Sequence, residues 1–396
     1  MINLVDKLHC TGCASCKAVC QREAISMRAD AEGFLYPHID ASKCINCGLC
    51  QKACPSINPA EARRPRSVYA AMAKDDALRL ASSSGGVFSL LASDILSKGG
   101  VVFGAAFDHN DWHVYHRPVE TEAELAELRG SKYVQSDVGD SYRQVKAYLS
   151  AGRQVLFTGT PCQITALNKF LSLQKGTSLD NLFLVDVVCH AVPSPLAWKK
   201  YLEKRLASVY NGRVGGLRDI RRISSRRKDC GWKRYSLSLG FANDKEYLSV
   251  FSNDPFMRGF LAELFNRPSC HNCPCKNLSS GSDLTIADYW GVAGKFPEMD
   301  DDKGTSLVLV NTDKGAVAFN AISDGLKVCE SDFAHACETN PAIVRPLSPH
   351  RDRSRFFCRV SNSDFDSLVN RMLLPPLKNR FRARIGRCLQ KIRRRK

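Results

Sequence analysis

Eight cysteines fall in the first 54 residues, at a spacing that leaves this part of the chain little choice of what to fold around. Cys10, Cys13, Cys16 and Cys20 recur 34 residues later as Cys44, Cys47, Cys50 and Cys54, and the second run is closed by Pro55. Three thiolates at successive three-residue steps can be aimed from a tight loop at three corners of one cubane. The fourth cysteine, one helical turn on, faces away and reaches a second cluster. The pattern therefore assigns Cys10, Cys13, Cys16 and Cys54 to one 4Fe–4S cluster, and Cys44, Cys47, Cys50 and Cys20 to another. Gly12 and Gly48 give the two loops room. Gln21 stands where the second run has Pro55, which weakens the helix stop and removes no ligand. A zinc ribbon takes its ligands in two pairs and would be overfilled by these runs. Disulfide stapling fits poorly, because the 18 cysteines are clustered and none lies between Cys54 and Cys162. Clusters of this kind move single electrons, so the segment reads as a wire and not as a catalyst.

The remaining chain is long enough for a large core. At 396 residues, 44% hydrophobic and 24% charged, it excludes global disorder and suggests two or three domains. Its start has no apolar signal segment, and its longest apolar stretch, Asn181 to Val192, is broken by Asp186 and His190. These features predict a cytoplasmic protein whose thiols stay reduced. Residues 1–60 form the dicluster ferredoxin domain and 61–67 a polar linker; the rest divides into 68–150, 151–335 and a C-terminal extension, 336–396. Short β-rich runs predict strands at Val101–Phe107, Gln154–Phe157, Leu182–Val188, Leu284–Ala287 and Ser306–Val310. Helical patterns fall between them at Gly86–Leu96, Val138–Leu149, Pro161–Leu171, Pro195–Ala207 and Lys314–Ile322. The fold class is α+β: a small ferredoxin domain, a mixed α/β domain and a basic C-terminal helix. Residues 213–251 read as adjacent strands, so the sheet should be mixed, not fully parallel.

A second cysteine set is more scattered. Gly159-Thr160-Pro161-Cys162-Gln163 follows a strand and opens a helix, where the helix N-terminus favours a thiolate. Cys189-His190 ends the next strand, and Cys270-x2-Cys273, followed by Cys275, lies in a loop. These cysteines can converge on one metal, or they can be small buried apolar residues. Cys230, Cys329, Cys337, Cys358 and Cys388 stand alone and read as structural. Ser82-Ser83-Ser84-Gly85-Gly86 precedes an apolar-periodic helix; the serines can cap it, and the glycines can let backbone N–H groups approach a diphosphate.

Those stretches, with Gly130-Ser131-Lys132-Tyr133-Val134-Gln135-Ser136 and Asp283-Leu284-Thr285-Ile286-Ala287-Asp288-Tyr289-Trp290-Gly291, resemble the coenzyme F420 hydrogenase/dehydrogenase beta-subunit family, here with a dicluster ferredoxin domain in front. In that comparison 68–150 is the family's N-terminal region and 151–335 its C-terminal flavin and cluster core. The resemblance implies FAD, with Ser82, Ser83, Ser84, Gly85, Gly86, Ser131, Lys132 and Tyr133 as the binding residues. It also implies a third 4Fe–4S cluster on Cys162, Cys189, Cys270 and Cys273. Ala191 stands where relatives often have glycine, and Cys275 can compete with Cys273. His190 and Asp288 are the candidates for acid–base work.

The net charge of +17 is uneven: ten Lys or Arg and no acidic residue fall in 375–396, with apolar residues at about helical period. That describes a basic amphipathic helix suited to an anionic membrane surface on the inner side, or else a solvated tail. A second basic patch, Arg218 to Arg234, reads as the solvated face of a strand pair. No recognised nucleic-acid motif accompanies these charges, and no nucleic-acid partner is expected. The function expected is an iron–sulfur flavoprotein oxidoreductase, passing electrons from a ferredoxin-like or other redox protein through 4Fe–4S clusters to FAD and a small organic substrate. The alternative is a non-catalytic electron-transfer subunit of a larger redox complex.

Overall fold

The computed structural model describes residues 3–211 and 216–374. The predicted basic helix at 375–396, with Cys388, lies outside the described residues. Among those described, no helix is long and apolar enough to cross a membrane.

In the N-terminal region each cysteine loop passes through a left-handed glycine, Gly12 at φ 69° and Gly48 at φ 76°. Each then turns into a short helix, Ser15–Val19 and Leu49–Lys52. Between them an antiparallel hairpin, β1 (Ile25–Ala29) and β2 (Leu35–Ile39), joins the two runs. The sequence reading placed no strands there, because their burial does not alternate cleanly enough to give a period-two signal.

The body is built on β3 (Ser67–Ala73), β4 (Val101–Phe107), β5 (Val114–Val119), β6 (Ser136–Asp137), β7 (Val155–Gly159), β8 (Leu182–Val187), β9 (Ile220–Arg227), β10 (Ser236–Phe241), β11 (Glu246–Val250), β12 (Leu284–Asp288), β13 (Ser306–Val310) and β14 (Leu326–Ser331). Nine of them form one mixed sheet in the order β14-β3-β13-β12-β8-β7-β4-β5-β6. Its centre, β12-β8-β7-β4, is parallel; the β12-β13, β13-β3, β3-β14 and β4-β5 pairs are antiparallel. Helices cover the sheet, so the central strands are apolar on both faces, which is why their sequences read as continuous hydrophobic runs.

All five strands read from the sequence are present within one or two residues, as are four of the five helices; the fifth begins at Ser141. Strand β5 went unread because it carries His116, Arg117 and Pro118. Only its first two residues pair with β6, so the proline lies on a free edge, where its missing N–H costs little. Residues 213–251 contribute their strands to a separate three-stranded antiparallel sheet, β11-β10-β9, and not to the main one. The described part of the C-terminal extension is built into the body. Phe356, Val360, Phe365, Leu368 and Met372 share a core with Trp198, Tyr201, Phe256 and Phe265.

The ferredoxin region is seated firmly on this body. Ser15 Oγ donates to the Ala166 carbonyl (3.1 Å), and Arg143 Nε donates to that of Ala18 (3.1 Å). Arg353 pairs with Glu32 in the β1–β2 turn. The same turn passes so close that a Cβ on Gly33 would lie 2.7 Å from the Leu196 nitrogen.

Candidate redox centre

Folding brings seven of the eight N-terminal cysteines into two groups. Cys16 lies near enough to Cys13, Cys10 and Cys54 for their charges to interact, and Cys50 likewise neighbours Cys47 and Cys20. The last cysteine of each run thus faces the other run. Burial pushes the Cys13 thiol up to about 12 and raises Cys10 and Cys16 as well. Thiols so buried keep their protons unless a metal takes their place, which is the donor chemistry of a metal site. Cys47 is exposed, whereas Cys10 and Cys13 are buried, so one group opens to solvent and the other faces the body.

The second set converges from three segments. The strand β7 ends at Gly159, and Pro161 opens the helix Pro161–Ser172 at its first turn, with Gln163 Oε1 accepting the Thr160 N–H (2.9 Å). This places Cys162 at the helix start, with the Thr160 hydroxyl 3.2 Å from its sulfur. Cys189 follows β8, and Cys270 sits on the 3-10 turn Pro268–Asn272. Cys162, Cys189, Cys270 and Cys273 all line one cavity of about 450 Å³. Cys275 does not line it and is buried. Burial pushes Cys162 up to about 12 and Cys189 to about 11. Cys13 in turn lies within charge range of Cys162.

A tetrahedral zinc site with Zn–S bonds of 2.3 Å holds its sulfurs ~3.8 Å apart. Among the described residues no three cysteine sulfurs come within 4.8 Å of one another; only the surface group Asp108, Asp111 and His113 is that tight. The wider cysteine spacing suits a cubane, whose thiolates bind different irons at different corners. Cys230 and Cys358, read as structural, are instead exposed.

The cavity lies where the parallel strands end, the usual ligand position in such sheets. Seven of the eight expected flavin residues line it: Ser82, Ser83, Ser84, Gly86, Ser131, Lys132 and Tyr133. Gly85 does not, and the reason given for its glycine needs correcting. Its N–H is taken by Ser306 Oγ (3.0 Å), and a Cβ there would meet the Ala71 carbonyl at 2.3 Å. The glycine serves close packing against β3 and β13, not approach to a ligand.

The serines do not cap the helix Val87–Ser97, whose N-cap is Gly86; their hydroxyls are taken up by neighbouring loops and strands instead. Ser83 Oγ accepts from the Ser131 N–H (2.7 Å) and hydroxyl (2.9 Å), which ties the two loops together at the cavity wall. Ser84 Oγ donates to the Thr305 carbonyl, while Lys228 holds the Ser84 carbonyl at 3.0 Å. No side chain caps the helix Val87–Ser97, and its first turn lines the cavity, so its N–H groups can meet an anionic group. Tyr133, Tyr235, Phe260 and Trp290 supply aromatic walls. These residues fit a planar cofactor with a phosphate-bearing tail. The Lys132 ammonium, however, is turned onto its own loop, donating to the carbonyls of Glu127 (2.7 Å) and Arg129 (2.9 Å); burial lowers its pKa to about 7.

The two acid–base candidates differ sharply. Asp288 is fully engaged: Arg226 donates to both oxygens (2.7 and 3.0 Å), and Trp232 Nε1 donates to one (2.9 Å). Arg226 is buried and also stacks on Tyr235, 4.0 Å from the ring centre. The basic patch 218–234 therefore splits. Arg218, Arg221, Arg222, Lys233 and Arg234 are exposed, as a solvated face requires, while Arg226 lines the cavity and Lys228 holds the Ser84 carbonyl of the cavity loop. His190 lies in the cavity with its Nε2 2.5 Å from Oε1 of the buried Glu263.

The sequence reading missed His116. It lines the cavity from below, between Ser136 Oγ (2.6 Å) and the Thr158 carbonyl (2.9 Å), and burial pushes its pKa from 6.5 down to about 4. An unfolded imidazole takes a proton below about pH 6.5, while the folded one stays neutral until about pH 4. The stability gained is therefore complete above pH 6.5 and is lost as pH falls toward 4, in all about 3 kcal/mol at 1.36 kcal/mol per pH unit. His116→Gln should flatten the fall of the unfolding midpoint over that interval; an unchanged slope would show that other groups govern it.

Comparison with known proteins adds the following. Residues 152–334 match the family model for the C terminus of the coenzyme F420 hydrogenase/dehydrogenase beta subunit, and residues 68–141 match the model for its N-terminal part. Two models of a 4Fe-4S dicluster domain match residues 9–58 and 36–84. No curated protein matches. Among solved structures, a chain of the F420-reducing NiFe hydrogenase complex from Methanosarcina barkeri, studied as a xenon derivative, is 17% identical. The likeness covers 71% of this chain and 90% of that one, with a TM-score of 0.48.

Proposed function

Because the chain belongs to the beta-subunit family of coenzyme F420 hydrogenase/dehydrogenase and carries a 4Fe–4S dicluster domain, we propose an iron–sulfur flavoprotein that passes electrons from a redox-protein donor to a small organic substrate. One observation carries this reading: the three cysteine groups succeed one another from solvent to cavity. The exposed Cys47 belongs to the outer group with Cys20, Cys44 and Cys50. Cys13, in the middle group, lies in charge range of Cys162, and Cys162, Cys189, Cys270 and Cys273 open on the cavity.

In this reading Cys10, Cys13, Cys16 and Cys54 hold one cluster, Cys44, Cys47, Cys50 and Cys20 a second, and Cys162, Cys189, Cys270 and Cys273 a third. FAD in the cavity would supply a group able to take electrons singly and give them up as a hydride. The helix start at Val87 and the Ser82–Ser84 loop would face its phosphates, and Tyr133, Tyr235 and Trp290 its ring system. His190 is the candidate for moving a proton: it lines the cavity, with Nε2 2.5 Å from a Glu263 carboxylate oxygen.

The test is anaerobic purification with iron, sulfide and flavin analysis, followed by turnover with a reduced ferredoxin-like donor. About twelve irons and one flavin per chain are expected at four irons per cluster. About eight irons would remove the third cluster, and absence of flavin after gentle purification would remove the catalytic reading. Turnover only with a stoichiometric co-purified partner would favour an electron-transfer subunit.

The basic residues of 375–396 supply a peripheral hold on an anionic membrane, at ~1 kcal/mol for each charge near the surface. Full-length chain should sediment with vesicles containing phosphatidylserine, and a chain cut before residue 375 should not. Equal sedimentation of both would end the idea.

A further inference from the structure

Four arginines are buried in the described residues: Arg79, Arg205, Arg226 and Arg267. The first three face carboxylates, Asp301, Asp366 and Asp288. Arg267 is fully buried, and among the described residues it has no carboxylate partner. Its donors go to neutral oxygens: Nε to the Cys10 carbonyl (2.8 Å), Nη1 to Gln135 Oε1 (2.8 Å) and Nη2 to the Leu35 carbonyl (2.9 Å). Tyr36 and Phe34 flank the guanidinium, with ring centres at 4.4 and 5.2 Å.

The first cysteine loop is shaped to let this group in. Gly12 adopts φ 69°, and a Cβ there would lie 2.6 Å from Nη1. On its other side Arg267 begins the turn Pro268–Asn272, and its carbonyl accepts the Cys270 N–H (3.0 Å). The guanidinium lies within charge range of both Cys10 and Cys162. An uncompensated buried charge is among the costliest features a fold can keep. Hydrogen bonds satisfy its donors but leave its charge unbalanced.

We propose that Arg267 is the counter-charge of the inner electron path, balancing the negative charge gathered at Cys10, Cys13, Cys16 and Cys54 and at Cys162, Cys189, Cys270 and Cys273. This rests on the cluster assignments above. Reduction adds one electron to an already anionic site, so a fixed cation beside it favours the reduced form and raises the reduction potential. Sitting between the two sites, Arg267 raises both together and lessens their mutual repulsion, so an electron on one does not bar the next.

The test is a dithionite titration of the full anaerobic holoprotein followed by electron paramagnetic resonance, for wild type, Arg267→Gln and Arg267→Lys. Arg267→Gln should lower the reduced-to-oxidised ratio of the Cys10-group cluster at least tenfold at a given potential, which is about 59 mV for one electron. Arg267→Lys keeps the charge and should stay near wild type. An unshifted Arg267→Gln with wild-type iron content overturns the proposal, as does an equal shift in Arg267→Lys, which would assign the effect to lost contacts. Should Arg267→Gln fail to fold, Gln135→Glu puts a carboxylate against Nη1 and should shift the potential the same way; no shift there overturns the proposal too. The wild-type iron count is a separate outcome: about eight irons would remove the third cluster while the Cys10-group potential still decides the role of Arg267.

Discussion

Cys273→Ser should lose about four of twelve irons, while Cys275→Ser should keep them all. The two residues are two positions apart in a loop, and spacing cannot choose between them. The proposed ligand is Cys273, because it opens on the cavity with Cys162, Cys189 and Cys270, whereas Cys275 is buried and does not line it. Loss of one of four thiolates leaves a cubane corner unligated, and serine is a poor ligand for iron in such clusters. Iron and sulfide analysis of anaerobically purified variants reads the result directly. Loss of iron from Cys275→Ser with retention in Cys273→Ser would reverse the assignment.

The second large effect is on stability. Asp288→Ala should destabilise the chain by about 3–5 kcal/mol, the range for removing one partner of a buried ion pair. Arg226 would be left buried, with its bidentate partner gone and Trp232 Nε1 without an acceptor. Replacing both residues, as Arg226→Met with Asp288→Asn, should recover much of that loss, since no lone charge then remains inside. Denaturant unfolding of the three proteins gives the comparison. A stable Asp288→Ala protein that binds flavin and has lost turnover would instead make Asp288 an acid–base group. Its full set of hydrogen bonds argues for the structural role.

Much of the fold was legible where a local signal exists. The central strands were readable because a parallel sheet covered on both faces demands unbroken apolar runs. The hairpin β1–β2 and the edge strand β5 were not, because exposed or half-paired strands need no such run and tolerate proline. Ser82, Ser83, Ser84 and Gly86 of the serine–glycine loop line the cavity, whereas Gly85 answers a packing constraint from β3 and β13, which are distant in sequence.

The N-terminal cysteines are the clearest case of what the chain determines by itself. The dicluster pattern follows from three-residue steps and one following helical turn, a geometry the backbone imposes within a dozen residues. The remaining decisions belong to the tertiary structure. Cys273 rather than Cys275, Arg226 against Asp288, His116 beneath the cavity, and Arg267 between two cysteine groups all depend on segments that meet across long stretches of chain. Such meetings leave no period in the sequence, because what fixes them is burial and charge balance, and those exist only once the sheet has closed over its core.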